Sequence, residues 1–314
     1  MELRHLRCFL ALAEELHFGR AAEKVHVDQS PFSRTIKELE EELGASLFVR
    51  TTRNTKLTSA GQALLQYVPR IFTAFDQARD AVRSADSGFK GLLRIALSDS
   101  VPPSRLPALL ALCREEDPDV EVKLYEVPLD RQIKGLHEDL YDAGFTMADE
   151  VGDGIVITSA WEDELMVAMP ARHPLLAYKH VPMDEVLRYP LVQGDPAVCT
   201  GYTRQIERIL CRYEQEPLIA QRVTSYDVGL SLVSAGIALG LAGAAHITSS
   251  REPGVVARPL KGKQPVLTTY LLRRDAKPSD ALARFIERVV TLGVAADDIV
   301  GEGAGNRMDK GVEA

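Results

Sequence analysis

An apolar repeat with a period of 3.5 residues runs through the early part of the chain. Leu64, Val68, Ile71, Phe75, Ala78, Val82 and Ala85 follow spacings of 4, 3, 4, 3, 4 and 3. That period is the seam of a coiled coil rather than the broad face of a core helix. With Thr58 as N-cap it predicts a helix of about 28 residues, roughly 42 Å long. A helix of that length with one apolar seam needs a partner. The segment therefore reads as a dimerisation linker whose seam is Leu64, Val68, Ile71, Phe75, Ala78 and Val82. Pro69 removes one backbone hydrogen bond and should bend it. Such a linker divides the 314-residue chain into a short leading segment and a long trailing one.

The leading segment reads as three short helices and a hairpin. Leu3, Leu6, Leu10 and Ala13 form one apolar stripe. A second helix is expected to start near Gly19, with Ala21 and Ala22 for close packing. The third has Asp28 as N-cap, Pro31 in its first turn, and Phe32, Ile36, Leu39 and Leu43 as its buried face, and Gly44 ends it. The opposite side carries Ser30, Ser33, Arg34 and Lys37 in its first half, while Glu38 and Glu40 to Glu42 trail behind. On an isolated helix such a face is often merely solvated. A recognition helix, however, enters the major groove by its N-terminal residues, where the helix dipole attracts phosphate. Gln29 has the amide suited to adenine, Arg34 the fork suited to guanine or phosphate, and the serines suit either. The stretch "LFVRTTRNTKLTSAG" then reads as a hairpin wing able to lie along a phosphate backbone. Net charge does not oppose this. Residues 1–60 hold nine Lys/Arg and nine Asp/Glu, so the net −8 of the chain lies in the remainder.

The stretch "RAAEKVHVDQSPFSRTIKELEEELGASLFVRTTRNTKLTSAG", residues 20–61, resembles the winged helix-turn-helix of LysR-type transcriptional regulators, whose pattern is AA..L..SQ..LSR.I..LE..LG..LF.R.....LT.AG. The resemblance implies that Gln29, Ser30, Pro31, Ser33, Arg34 and Lys37 face DNA and that Arg50, Thr52 and Arg53 serve the wing. The chain departs from the pattern at Asp28, where the family usually has Ser, at Ser30-Pro31 in place of Pro-Ala, and at Gly19 in place of a Ser/Thr cap.

Beyond "SADSGFKG" (84–91), strand-like and helical runs alternate, as in an α/β fold with a mainly parallel sheet. LLRIALS, VEVKLYEV, DAGFTMA and IVITSAW are the strands of a first unit, and ELMVAMP, PLVQ, LIAQRVT and ALGLAG those of a second. "PVLTTYLLRR" and a helix around 279–291 return to the first, giving crossing points near Glu164 and Gln264. This layout is similar to the family's periplasmic-binding-protein-like effector domain. The expected organisation is a winged helix-turn-helix at 1–58 and a linker helix at 59–87. Effector subdomain I follows at 88–162 with 265–293, subdomain II at 163–264, and a disordered tail rich in Gly, Asp and Glu at 294–314.

In open α/β sheets ligands sit beyond the carboxyl ends of strands, against helix N-termini. That rule selects Ser98, Asp99, Ser100, Val101, Thr146 and Met147 from the first subdomain. From the second it selects Gln193, Gly194, Thr200, Gly201, Tyr202, Ser225 and Tyr226. Their hydroxyls and amides favour a polar or anionic metabolite, and the resemblance adds aromatic carboxylates. Asp99 and Asp195, if unpaired, would instead suit an amine or hydroxylated ligand.

Other function classes lack residues to carry them. No G-x-S-x-G, Walker loop, GxGxxG or His-rich cluster is present, so neither an enzyme nor a cofactor or metal is expected. No run approaches the ~20 apolar residues that span a bilayer, and the expected location is the cytoplasm. Two alternatives remain: a redox switch using Cys199 and Cys211, by analogy with peroxide-sensing members of the family, and a stand-alone small-molecule-binding protein. The implied partners are an operator duplex, a small effector, a second copy of the chain as homodimer or tetramer, and RNA polymerase.

Overall fold

The computed structural model describes residues 1–50, 55–99, 105–250 and 252–303, in two units, Met1–Val82 and Arg83–Ala314. The wing tip with Thr52 and Arg53, the positions Ser100 and Val101, and the last part of the expected tail lie outside the described residues.

The first unit contains α1 (Leu3–Glu15), α2 (Phe18–Lys24), α3 (Gln29–Leu43), the strands β1 (Phe48–Arg50) and β2 (Thr55–Leu57), and most of α4 (Ser59–Asp86). Its core gathers Leu6, Phe9 and Leu12 of α1, Phe32, Ile36 and Leu39 of α3, Leu47, Phe48 and Val68. The buried face of α1 is thus centred on Leu6, Phe9 and Leu12; Leu3, Leu10 and Ala13 pack at its margin. Two expected caps differ. The N-cap of α2 is His17, whose Nδ1 accepts from the Arg20 N–H at 3.2 Å, two residues before the expected glycine. Asp28 sits at the α3 N-cap in extended backbone, but its carboxylate makes no capping bond. Gly44 closes α3 in the left-handed region at φ +66°, as its lack of Cβ permits.

α4 is the long helix the repeat requires, with Pro69 inside it. Its seam splits into two parts. Val68 is fully buried in the core of the first unit, and Leu64 and Ile71 are half-buried against it. Phe75, Ala78 and Val82 are exposed, Val82 at 70%.

The second unit carries β3 (Gly91–Leu97), α5 (Arg105–Glu116), β4 (Val120–Glu126), α6 (Leu129–His137), β5 (Ala143–Thr146), β6 (Ile155–Pro170), α7 (Met183–Val186), β7 (Leu191–Gly194), α8 (Thr200–Leu210), β8 (Ile219–Val223), α9 (Tyr226–Ser234), β9 (Leu239–Gly243), α10 (Ala244–Ser249), β10 (Val255–Pro259), β11 (Val266–Arg274) and α11 (Asp280–Gly303). The strand order is β4-β3-β5-β11-β6-β9-β7-β8, and β10 also pairs with β6. β3 is parallel to β4 and β5, and β7 to β8 and β9, but every pairing of β6 and β11 is antiparallel. The sheet is therefore mixed rather than mainly parallel. Two parallel halves are joined by the antiparallel crossing strands.

β6 is one 16-residue strand where the sequence suggested two, divided by the charged run Glu162–Glu164. It continues because β11 pairs with it through that run and because both oxygens of Asp163 accept the Ala245 N–H at 3.2 Å. β10 and α10 were not foreseen. α11 continues to Gly303, past Gly293 where a disordered tail was expected to begin. The first half packs around Phe145, Trp161 and Phe285, with Phe145 stacked on Trp161 at 4.7 Å. The second packs around Leu165, Val167, Ile206 and Leu241.

The start of α4 is fixed by Thr58, whose hydroxyl donates to the Ser46 carbonyl at 2.7 Å and accepts from the Gly61 N–H at 2.9 Å. Thr58→Ala should cost about 1–2 kcal/mol, read as a lowered thermal midpoint in the full chain, whereas Thr58→Ser should retain most of the stability.

Candidate functional sites

α3 is seated by a fully buried face. Phe32, Ile36 and Leu39 have no exposed surface, and Phe18 meets the Phe32 ring edge-on at 6.0 Å. Burying that face fixes which side chains are left outside. Gln29, Ser30, Pro31, Arg34 and Lys37 are exposed and Ser33 is half-buried, all in the first half of the helix. Because Asp28 forms no cap bond, its carboxylate does not consume the first-turn amides. Lys37 is paired with Glu41 at 3.3 Å, four residues on. Both partners are mostly exposed, so the pair is worth only a few tenths of a kcal/mol, about the ~0.3–0.5 of such helix pairs. Phosphate could take over the lysine at little cost.

The wing strands pair antiparallel from Phe48↔Leu57 to Arg50↔Thr55, which places Arg50 at the end leading to the tip. Glu40 holds this hairpin against α3, its carboxylate accepting the Leu47 and Phe48 N–H groups at 2.7 and 3.1 Å. One of the trailing acids is thus an anchor rather than part of a solvated face.

In the second unit the expected effector residues separate into three groups. Ser98 is turned into the first half, where its buried hydroxyl donates to Gln132 Oε1 at 2.6 Å. Asp99, Thr146, Met147, Gly201 and Tyr202 converge on one carboxylate. Asp99 Oδ2 accepts from the Thr146 hydroxyl at 2.9 Å and the Met147 N–H at 3.2 Å, and Oδ1 accepts from the Gly201 and Tyr202 N–H groups at 3.1 and 3.5 Å. Asp99 is therefore fully paired, with its own backbone at φ +56°. Gln193, Gly194, Tyr202, Ser225 and Tyr226 form the third group. With Cys199 and the apolar Val192, Leu230, Val233 and Leu241 they line a single cavity. The space between its walls, which opens to solvent, is about 410 Å³. Thr200 stands apart, donating to the Pro196 carbonyl at 2.9 Å, and Asp195 accepts the Ala197 N–H at 2.9 Å.

α8 is fastened to the first half at two further points that the sequence did not single out. The buried Gln205 side chain donates to the Met147 and Thr268 carbonyls at 2.6 and 2.7 Å and accepts the Thr268 N–H at 2.9 Å. Arg208 forms a two-point pair with Asp149 at 2.7 and 3.2 Å, which holds that carboxyl below its ordinary range. No signal short of knowing that α8 crosses to β11 could have distinguished Gln205 from any surface glutamine.

Burial governs the ionisable groups of the cavity. The Tyr202 hydroxyl donates to the Leu241 carbonyl, and desolvation pushes it upward. The Tyr226 hydroxyl is buried without a hydrogen-bond partner, and its ring stacks on His246 at 4.4 Å. Desolvation lowers His246 to about 4. It raises Cys199 to about 11, with Asp99 and Asp195 adding to the effect. A thiol protonated to that degree is a poor nucleophile. Cys211 is exposed, and the whole of α8 lies between the two, so these cysteines do not form the redox pair considered from the sequence. Among the described residues no cluster of three His, Cys, Asp or Glu side chains is placed to hold a metal, and no helix is long and apolar enough to cross a membrane.

Two measurements check this geometry. A Cβ on Gly201 would fall 2.3 Å from the Ala148 nitrogen and 2.4 Å from the Met147 carbonyl carbon, both backbone atoms that cannot turn aside. Gly201→Ala should therefore destabilise the second unit by about 1–3 kcal/mol in chemical denaturation. His246 binds its proton more weakly folded than unfolded, so its contribution is complete above the unfolded value and is lost as pH falls from about 6.5 toward about 4. Between pH 7 and pH 5 the protein should lose about 2 kcal/mol more stability than a His246→Phe variant.

Known proteins resemble both parts of the chain. The model of the bacterial regulatory helix-turn-helix protein, lysR family, matches residues 3–62, and that of the LysR substrate binding domain matches 86–292. The chain is similar to the uncharacterised HTH-type regulator YnfL of Escherichia coli K12, with 36% identity over 242 residues, 77% of this chain and 82% of the relative. It is 32% identical over 243 residues to AlsR of Bacillus subtilis, covering 76% of this chain and 79% of the relative. Among solved structures it resembles full-length CbnR in complex with its target DNA, at TM-score 0.71 and 27% identity over 93% of this chain and 100% of the other. Full-length BenM follows at TM-score 0.60 and 28% identity, over 95% and 98%. The helix-turn-helix match excludes a stand-alone binding protein. With both of its parts matched, the chain belongs to the LysR family of DNA-binding transcriptional regulators with an effector-binding domain.

Proposed function

We propose that this protein is a non-enzymatic cytoplasmic regulator that reads an operator with the front of α3 and answers to a small molecule held in the second half of its second unit, beside the contact with the first half. The observation that carries the DNA reading is the asymmetry of α3. Gln29, Ser30 and Arg34 stand exposed at its N-terminal end, while its acids lie behind them and Glu40 is consumed in anchoring the hairpin. Gln29 and Arg34 contact base edges or phosphate, the serines and Lys37 contact the backbone, and Arg50, Thr52 and Arg53 take the adjacent strand. The solved relative CbnR, held with its target DNA, supports this assignment.

The boundaries we assign are a DNA-binding module at 1–58 and a linker at 59–87. Effector subdomain I takes 88–162 with 265–293, and subdomain II takes 163–264. Phe75, Ala78 and Val82 form the seam for a second copy, which matches two half-sites on one operator. The effector site is the cavity of Gln193, Gly194, Tyr202, Ser225 and Tyr226 together with the Asp99 clasp beside it. Occupancy favours one arrangement of the assembly over another, and so shifts a population rather than forcing a change. Contact with RNA polymerase, and pairing of dimers into a tetramer, belong to the same reading.

The test is gel retardation with DNA from the protein's own upstream region. Arg34→Ala should weaken binding about tenfold or more, equivalent to ~1.4 kcal/mol, with the circular dichroism spectrum unchanged. Retardation equal to that of the parent protein would remove α3 from the interface.

A further inference from the structure

The N-terminus of α8 is where an open α/β fold offers its strongest hold on an anion, because the first-turn amides lack helical partners and the dipole adds to them. Here that position is filled from within the chain. The Gly201 and Tyr202 N–H groups of that turn donate to Asp99, and the other oxygen of Asp99 takes the Thr146 hydroxyl and the Met147 N–H. A carboxylate effector docking at this end of α8 would need the same four donors. It would have to displace a side chain that reaches them without any loss of translational freedom.

The cavity next to the clasp shares Tyr202 with it and has a different character. Its walls are mainly Val192, Leu230, Val233 and Leu241, with Gln193 and Ser225 as polar lining. The charges around it are mostly negative. Asp99 and Asp163 both act to raise the Tyr226 hydroxyl, as Asp99 and Asp195 do the Cys199 thiol. His246, against Tyr226, is neutral at pH 7, and Arg222, the cation beside Gly194, sits on that residue's carbonyl at 3.5 Å. All three carboxylates already accept backbone N–H groups, so none demands a cationic ligand. Entry of an ammonium group into apolar walls would also carry a desolvation cost.

We propose that Asp99 is a built-in ligand of the α8 N-terminus, so that the adjoining cavity takes an uncharged, compact, largely apolar molecule. The proposal rests on reading this cleft as the effector site, and it replaces the anionic effector that the fold rule suggests. In this chain the anion position does not wait for a metabolite; it clasps the two halves together.

Three probes of one size and different charge test it on the full-length protein: benzyl alcohol, benzylamine and benzoate, with binding followed by calorimetry. The parent protein should bind benzyl alcohol at least about tenfold more tightly than either ion. Asp99→Ser, which vacates the anion position, should gain about tenfold or more for benzoate, and the isosteric, uncharged Asp99→Asn guards against a folding defect by moving the same way. Equal or tighter binding of benzoate or benzylamine by the parent protein, no binding of any probe, or no gain of benzoate in either Asp99 variant overturns the proposal. Operator retardation measured on the same samples separates the outcomes. If DNA is retained and the probe order is reversed, only this inference fails; if DNA binding is absent, the regulator reading fails.

Discussion

The second unit is held in its observed arrangement by the contact of one helix end with the opposite half of the sheet. The first turn of α8 lies so close to Met147 and Ala148 that position 201 has no room for a Cβ, and Asp99 bridges the gap with both of its oxygens. Gln205 and Arg208 repeat the attachment one and two turns further along. Each bond is worth about 1 kcal/mol on its own. Together they fix the angle at which the halves meet, because an α-helix anchored at three successive turns cannot pivot.

Apart from these contacts and the Arg204–Glu150 pair at 3.6 Å, the crossing strands β6 and β11 connect the halves. Two antiparallel strands are a narrow connection between two separate cores, one around Phe145 and Trp161 and the other around Leu165 and Leu241. The cavity and the clasp share Tyr202. In the function proposed above, a small molecule in the cavity would bias the geometry of the halves through that residue and its backbone.

The DNA-facing module works on a different principle. The surface proposed to meet DNA is what remains after α3 has buried Phe32, Ile36 and Leu39. Helical periodicity then dictates that Ser30, Arg34 and Lys37 point outward together. This is why a chain with net charge −8 can still present a polar, partly cationic edge. The local distribution of charge on one small unit decides the contact, and the acidic bulk lies elsewhere.

The sequence by itself determined the helical module, the long linker, the alternation of strands and helices and the exposed front of α3, because these follow from local periods of 3.6, 3.5 and 2 residues that burial must respect. It also identified the strand ends where Asp99, Gly194 and Tyr226 would lie. Only the tertiary structure decided that β6 runs unbroken through Glu162 to Glu164, that Val68 is buried in its own unit, that Ser98 turns away from the cleft, and that Gln205 and Glu40 are anchors. Each of these depends on a partner distant in sequence: Ala245 for Asp163, Gln132 for Ser98, Thr268 for Gln205. Periodicity tells which face of an element is buried, but hydrogen-bond partners across the fold exist only once the chain has closed on itself. For the same reason, the sequence could raise Asp99 as an unpaired charge and only the folded chain could supply the four donors that pair it.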